Sequence, residues 1–131
     1  MTKTIVITHG SLAKELVDIT DQILEKETGA VAICFDLLNE YTELKSKIEQ
    51  ALATFDESDK VIILTDLFGG TASNAAIPFA QKERVEVITG LNLAMLLYLF
   101  SQSENKAFVN LCQGVKTAGK DAIIVAGEFL P

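Results

Sequence analysis

The side chains with the clearest chemical potential are the only histidine of the chain, His9, and the carboxylate Asp66. His9 ends the β-branched run at residues 5–8 and is followed by Gly10 and Ser11. An imidazole can act as a base, an acid or a nucleophile near neutral pH. A carboxylate that accepts a hydrogen bond from one ring nitrogen leaves the other free to attack and stabilises the charge that develops. A His9–Asp66 pair would therefore be an oriented nucleophile.

Glycines and predicted helix starts surround both residues. Asp66 begins the loop Asp-Leu-Phe-Gly-Gly-Thr, and its glycines allow the backbone to approach a ligand closely. Helices predicted to begin at Ser11 and near Thr71 would direct N–H groups at one place, which favours an anion. The group that His9 accepts is then a phosphoryl group. Each feature alone is also typical of an ordinary turn or helix cap, so the prediction depends on their coincidence.

The elements that must position these loops follow from apolar runs. The runs are continuous rather than alternating, as in strands covered on both faces. They lie at residues 3–8, 30–37, 60–65 and 84–89, alternate with helical patterns, and are followed by a fifth run at 121–126. This order predicts one parallel sheet with helices on both faces. In the order 2-1-3-4, strands one and three are neighbours and His9 lies beside Asp66. The last strand would pair antiparallel at an edge, within the chain or with a partner.

The helical patterns carry further expectations. Asn39 or Thr42 can cap the second helix. Pro78 predicts a kink or an early end in the third. Gly119 is expected to end the last helix. The first helix carries an apolar stripe that is expected to be its buried face, formed by Leu12, Leu16, Ile19 and Ile23.

Composition narrows the function. The length of 131 residues favours a single domain. The net charge of −7 argues against a nucleic-acid binder, which needs a basic face for phosphate contacts. With Arg84 as the only arginine, a phosphate would depend mainly on backbone N–H groups and neutral side chains. Cys34 and Cys112 lack metal or redox spacing and are expected to be buried thiols. One histidine cannot form a histidine-rich metal site, and no nucleotide-binding glycine motif occurs, so we expect no metal and no cofactor.

Targeting signals are also missing from the pattern. No apolar run approaches the ~18 residues of a membrane span. The first residues lead directly into a strand pattern and show no cleavable signal region, so we expect a cytoplasmic protein.

Three segments together resemble the mannose-family enzyme IIA domain of the bacterial phosphoenolpyruvate-dependent sugar phosphotransferase system. They are Ile-Val-Ile-Thr-His-Gly-Ser at 5–11, Thr-Asp-Leu-Phe-Gly-Gly-Thr-Ala-Ser-Asn at 65–74 and Ile-Thr-Gly-Leu-Asn-Leu-Ala-Met-Leu at 88–96. The resemblance covers essentially the whole chain, in order. It implies that His9 takes a phosphoryl group from HPr on Nε2 and passes it to enzyme IIB, upstream of the membrane subunits IIC and IID. Asp66 would orient His9 at Nδ1.

The resemblance also implies the surroundings of the phosphoryl group. Thr71 stands where the family often has serine and would bind a phosphoryl oxygen, while N–H groups from Phe68 to Thr71 complete the cradle. The full set of expected phosphate-binding residues is Gly10, Ser11, Phe68, Gly69, Gly70 and Thr71. An apolar rim that includes Phe68 and Met95 would admit the partner.

The implied fold is a four-stranded parallel sheet, order 2-1-3-4, with a fifth antiparallel strand exchanged between the subunits of a homodimer. The run at 121–126 matches that strand. Some members continue through a linker into IIB; this chain ends at Pro131, so we expect a separate IIB.

Two alternatives remain open at this point. One is the phosphocarrier of the dihydroxyacetone kinase system, which has the same fold and chemistry but passes the group to a kinase. The other is a non-catalytic regulatory or binding domain in which His9 is merely structural. Nothing in the sequence indicates which sugar is transported.

Overall fold

A computed structural model describes residues 1–36, 41–102 and 105–131. Two predictions fall outside these ranges: the helix cap at Asn39, and the end of the second predicted strand at Leu37. The strands are β1 (Thr2–His9), β2 (Val31–Phe35), β3 (Lys60–Thr65) and β4 (Val85–Thr89). The helices are α1 (Leu12–Leu24), α2 (Tyr41–Ala53), α3 (Thr71–Ala76), α4 (Leu93–Leu99) and α5 (Phe108–Asp121). Short 3-10 turns follow α3 and α5 at Ile77–Phe79 and Ala126–Phe129.

All four strands form one parallel sheet in the order β2-β1-β3-β4, which confirms the predicted topology. The central strands β1 and β3 are in a register that pairs Ile7 with Thr65. Their carboxyl ends therefore meet at the same edge of the sheet. Because helices alternate along the chain with these strands, each crossover returns the next strand parallel to the last.

Helices cover both faces of the sheet, as predicted. Because successive strand residues point to opposite faces, β1 and β3 contribute to two separate cores. One core joins Ile5, Ile7 and Ile63 to Leu44 and Ile48 of α2 and to Ala72, Ala75 and Ala76 of α3. The other joins Val6, Ile62 and Leu64 to α1, α4 and α5 through Ala13, Val17, Leu96, Leu111 and Val115. In the part of the chain described, no helix has both the length and the apolarity to cross a bilayer.

The buried face of α1 differs from the predicted one. Leu12, Ile19 and Ile23 are 45%, 41% and 53% exposed. The residues that face the sheet are the smaller Ala13, Val17 and Thr20. Small side chains let the helix approach the sheet closely, and the buried Thr20 hydroxyl donates to a carbonyl of its own helix at 2.7 Å. Of the predicted stripe, Leu16 is half-buried and packs against the core, whereas the other three residues lie on the outer side.

Two of the predicted helix boundaries have different outcomes. Helix α3 ends two residues before Pro78, so the predicted early end is confirmed. Gly119 does not end α5, which continues to Asp121. A Cβ at Gly119 would lie 2.7 Å from Met95 Cγ, and the Gly119 carbonyl accepts a hydrogen bond of 3.1 Å from the Asn92 side chain. The glycine therefore permits close packing of α5 on α4.

The predicted fifth strand at 121–126 is not formed within this chain. Asp121 still belongs to α5, and the next residues adopt no regular structure before the final 3-10 turn. Ile123, Ile124 and Val125 are 77%, 58% and 60% exposed. A strand is stabilised by hydrogen bonds to a neighbouring strand, and among the described residues this segment has no such neighbour. The apolar pattern thus identified a segment with high strand propensity, but it did not predict that this segment lacks strand structure in a single chain.

Candidate active site

The carboxyl ends of β1 and β3 bring His9 and Asp66 together. The His9 backbone N–H donates to Asp66 Oδ2 at 2.9 Å, and His9 Nδ1 lies 2.8 Å from the same oxygen. One carboxylate oxygen thus holds both the main chain and the ring of His9. Because the acceptor is a carboxylate, the geometry assigns the hydrogen to Nδ1 and leaves the lone pair on Nε2.

The other side of the imidazole is open. The His9 side chain is 40% exposed, and Nε2 makes no hydrogen bond with any described residue. The ring of Phe35 packs against the imidazole, with centroids 4.6 Å apart and planes tilted by 46°. Phe35 and Asp66 together limit the rotation of the ring, so Nε2 is directed outward.

The carboxyl group of Asp66 is ionised at neutral pH. Burial is the largest single influence and raises its pKa, but the hydrogen bonds from the backbone and ring of His9 together outweigh it. The net result is a pKa below the ordinary value of 3.8. Asp66 Oδ1 is buried and, like Thr65 Oγ1 beside it in sequence, has no hydrogen-bond partner among the described residues. The hydrogen bonding of the carboxylate is therefore directed to His9 through Oδ2.

Thr8 rather than Ser11 caps α1. The Thr8 hydroxyl is buried and accepts a hydrogen bond of 2.6 Å from the Ala13 N–H, whereas Ser11 makes no capping bond with its side chain. Gly10 has φ +53° and donates its N–H to the Phe35 carbonyl at 2.6 Å. Sequence analysis missed the role of Thr8 because a β-branched residue inside an apolar run is typical of a strand core.

Hydrogen bonds within the loop after β3 hold it in one shape. The Gly69 N–H donates to Ser73 Oγ at 2.9 Å, and the Ser73 hydroxyl donates to the Gly70 carbonyl at 3.1 Å. The Gly70 N–H donates to the Leu67 carbonyl at 3.1 Å, and the Asn74 side chain donates to the Gly69 carbonyl at 3.3 Å. Gly69 has φ +81°, which favours glycine. Ser73 was not among the predicted site residues, and no spacing rule singles it out.

The loop approaches the imidazole and ends in an apolar tip. A Cβ at Gly70 would lie 3.7 Å from His9 Cε1 and 3.2 Å from the Leu67 carbonyl oxygen. Leu67 and Phe68 are 60% and 76% exposed. Met95, the other residue expected at the apolar rim, is 3% exposed and belongs to the core, so that expectation was wrong. Its place in α4 puts it under α5, against Gly119.

The predicted phosphate-binding residues divide into two groups. The N–H groups of Gly10, Gly69 and Gly70 already have acceptors within the chain. The hydroxyl groups of Ser11 and Thr71 make no hydrogen bond with a described residue, and both side chains are at least partly exposed. These two hydroxyls therefore remain available as donors.

Two cavities lie elsewhere on the described part of the chain. Cavities of about 320 and 610 Å³ lie at the amino end of β1 and beside β4, and His9 lines neither of them. In the described part of the chain, no group of three His, Cys, Asp or Glu side chains could hold a metal ion. An exposed, oriented imidazole suits a group that is delivered by another macromolecule.

Comparison with known proteins identifies the family of the chain. The model of the EIIA-man family, PTS system fructose IIA component, matches residues 3–116. The fructose-specific EIIA component of the phosphotransferase system of Bacillus subtilis is 31% identical over 131 residues, which span 99% of this chain and 90% of that protein. The mannose-specific EIIAB component of Escherichia coli is 31% identical over 126 residues, which span 94% of this chain but 39% of that protein.

The fold itself has a solved counterpart. The phosphotransferase system component EIIA from Streptococcus agalactiae has a TM-score of 0.86 at 22% identity, over 98% of this chain and 99% of that chain. EIIA components are phosphotransferases that transfer phosphate by way of a histidine. The chain therefore belongs to the EIIA-man family and is a IIA component of the phosphotransferase system.

Proposed function

We propose that His9 is the phosphoryl acceptor, taking the group from HPr on Nε2 and passing it to enzyme IIB for sugar uptake through the membrane subunits IIC and IID. The observation that carries this proposal is that the only histidine of the chain has Nδ1 bound to Asp66 and Nε2 open. The matched family favours this over a dihydroxyacetone kinase system or a non-catalytic domain.

The transfer step follows from the hydrogen bond between His9 and Asp66. The Nε2 lone pair attacks the phosphorus of the donor phosphohistidine, the bond from Nε2 to phosphorus forms, and the donor's own nitrogen–phosphorus bond breaks. The proton stays on Nδ1, and positive charge develops on the imidazole. The ionised Asp66 stabilises that charge at 2.8 Å. The reverse attack, by a nucleophile of enzyme IIB, releases the group.

Local donors must offset the acidic character of the chain, whose net charge is −7. We assign the Ser11 and Thr71 hydroxyls to the phosphoryl oxygens. The backbone from Phe68 to Thr71 and the first turn of α1, which begins after Gly10, add positive potential. No cofactor or metal takes part in this proposal.

The partner contacts the rim of the site. Leu67 and Phe68 offer apolar surface beside His9, and we propose that HPr and enzyme IIB both dock there. These exchanges would take place in the cytoplasm.

We further propose that the segment at 123–125 forms the fifth strand only in a homodimer. Its three apolar side chains are exposed, and β4 is an edge strand of the sheet, bridged by Gln81 at Val85. The cavity of about 610 Å³ beside β4 is lined by Val85, Phe108 and Val109 among others, and Val109 is 66% exposed. Antiparallel pairing with β4 of a second copy would cover both apolar surfaces and satisfy both strand edges.

Phosphorylation of His9 is the first expected result. Incubated with phosphoenolpyruvate, enzyme I and HPr, the chain should gain an acid-labile, alkali-stable phosphate, located on His9 by mass spectrometry. His9→Gln should gain none, and omission of HPr is the control. A wild-type chain that stays unmodified would exclude the carrier function.

Asp66→Asn should fold but accept the phosphoryl group slowly. Asparagine keeps an acceptor oxygen but loses the charge, and a charged hydrogen bond is worth about 1.5–3 kcal/mol, roughly a 10- to 150-fold change in rate. Quenched-flow transfer from phosphorylated HPr measures it. A rate equal to that of wild type would remove Asp66 from the mechanism.

The same substitution should alter the dependence of stability on pH. Because the folded pKa of Asp66 is depressed below 3.8, its stabilisation is present above about pH 4 and is lost as the pH falls through the folded value. Wild type should exceed Asp66→Asn in unfolding free energy by about 1–2 kcal/mol at neutral pH, with the gap closing in acid. Urea unfolding across the pH range checks this. A gap that does not narrow at all as the pH falls would contradict the assignment.

Ile124→Asp should convert the dimer to monomer. A carboxylate in the middle of the proposed exchanged strand would be buried without a partner, at a cost of several kcal/mol. Sedimentation equilibrium of wild type and variant measures the change. Lys120→Gln, which lowers the net charge by one as Ile124→Asp does and lies on the exposed surface of α5, is the control. A wild-type chain that is monomeric at high concentration would overturn the exchange.

A further inference from the structure

We propose that Ser73 is a positioning residue, which fixes the loop between Asp66 and Thr71 in the geometry that phosphoryl transfer to His9 needs. This inference rests on the proposed function of His9. Ser73 lies in α3, is 0% exposed, and has no predicted role.

The Ser73 hydroxyl makes two hydrogen bonds to consecutive residues of the loop. It accepts from the Gly69 N–H at 2.9 Å and donates to the Gly70 carbonyl at 3.1 Å. A buried serine in a helix commonly donates to a carbonyl of the preceding turn, which accounts for the second bond alone. The first bond reaches the N–H of Gly69, one residue before the Gly70 N-cap of α3. A serine with only a helical role does not require it.

The loop depends on this clamp because its own residues restrain it weakly. Leu67 and Phe68 are 60% and 76% exposed, and two glycines follow. Glycine has the largest backbone freedom of any residue, so a glycine pair orders only at an entropic cost. The remaining side-chain contact, from Asn74 to the Gly69 carbonyl, is longer at 3.3 Å and exposed. Ser73 supplies the buried hydrogen bonds of the loop.

The clamp connects directly to the reacting groups. Gly70 stands where a Cβ would be 3.7 Å from His9 Cε1. Asp66, which orients Nδ1, lies at one end of the loop, and Thr71, assigned to the phosphoryl oxygens, lies at the other. A shift of the pair Gly69–Gly70 would therefore change the distance between Asp66 and Thr71. A misplacement of about 1 Å can cost about 10²-fold in rate.

The test compares Ser73→Ala with Thr20→Val. Alanine removes only the hydroxyl oxygen, and α3 already contains buried alanines, so the variant should fold. Thr20→Val is the matched control, because it removes an equally buried helical hydroxyl that donates to a carbonyl of its own helix, α1. Two readouts are needed: amide hydrogen exchange at Gly69, and the kcat and KM for transfer from phosphorylated HPr.

Ser73→Ala should raise the exchange rate of the Gly69 amide by about tenfold and lower kcat by about 5- to 30-fold, as expected for the loss of one or two hydrogen bonds. The KM for HPr should change less than kcat, because the apolar side chains of Leu67 and Phe68 are retained in the variant. Thr20→Val should leave the Gly69 exchange rate and kcat within about twofold of wild type.

Other outcomes overturn the proposal in distinct ways. If Ser73→Ala keeps the wild-type kcat, Ser73 is structural only, whatever its effect on Gly69. An equal loss of kcat in Thr20→Val would assign the effect to general stability. If wild type accepts no phosphate at all, the proposed function of His9 fails, and the positioning proposal fails with it even though the Gly69 exchange responds.

Discussion

The site depends on one carboxylate oxygen. Asp66 Oδ2 accepts hydrogen bonds from the backbone N–H of His9 at 2.9 Å and pairs with its ring Nδ1 at 2.8 Å. The first contact ties the end of β1 to the residue after β3, and the second sets the tautomer of the nucleophile. The same oxygen therefore holds the two strands together and orients the nucleophile. If the Asp66 side chain moves away from one of these contacts, the other is weakened as well.

The shared acceptor requires a particular sheet. His9 and Asp66 are far apart in sequence and can share a hydrogen bond only if β1 and β3 are neighbours whose carboxyl ends are aligned. The register that pairs Ile7 with Thr65 aligns them. The two central strands are buried on both faces, which makes the edge of the sheet a rigid base. The loop after β3 has an exposed tip at Phe68 and is held by a hydrogen bond from Gly69 to the buried Ser73. A rigid nucleophile with a protruding apolar rim is well suited to exchange with proteins.

Sequence reasoning succeeded where a local rule had one dominant cause. Continuous apolar runs between helical patterns predicted the parallel sheet, whereas its strand order came from the family resemblance. The missing N–H of Pro78 predicted the early end of α3. Sequence reasoning failed where several arrangements satisfy the same pattern. Periodicity placed Leu12 and Ile23 on a buried stripe, but packing selected the smaller neighbours. Gly119 matched a helix end, yet its value to the fold is the space that it leaves for Met95.

By itself, the sequence determined which residues can do chemistry, because residue type sets the pKa range, the donors and the nucleophilicity of His9 and Asp66. It also determined the four strands of the sheet and the helices between them, because hydrophobic period is a local property. Only the tertiary structure decided which groups meet: that Thr8 rather than Ser11 caps α1, and that Ser73 holds the glycine pair. Hydrogen-bond partners far apart in sequence are chosen by packing and register, and no local pattern records that choice.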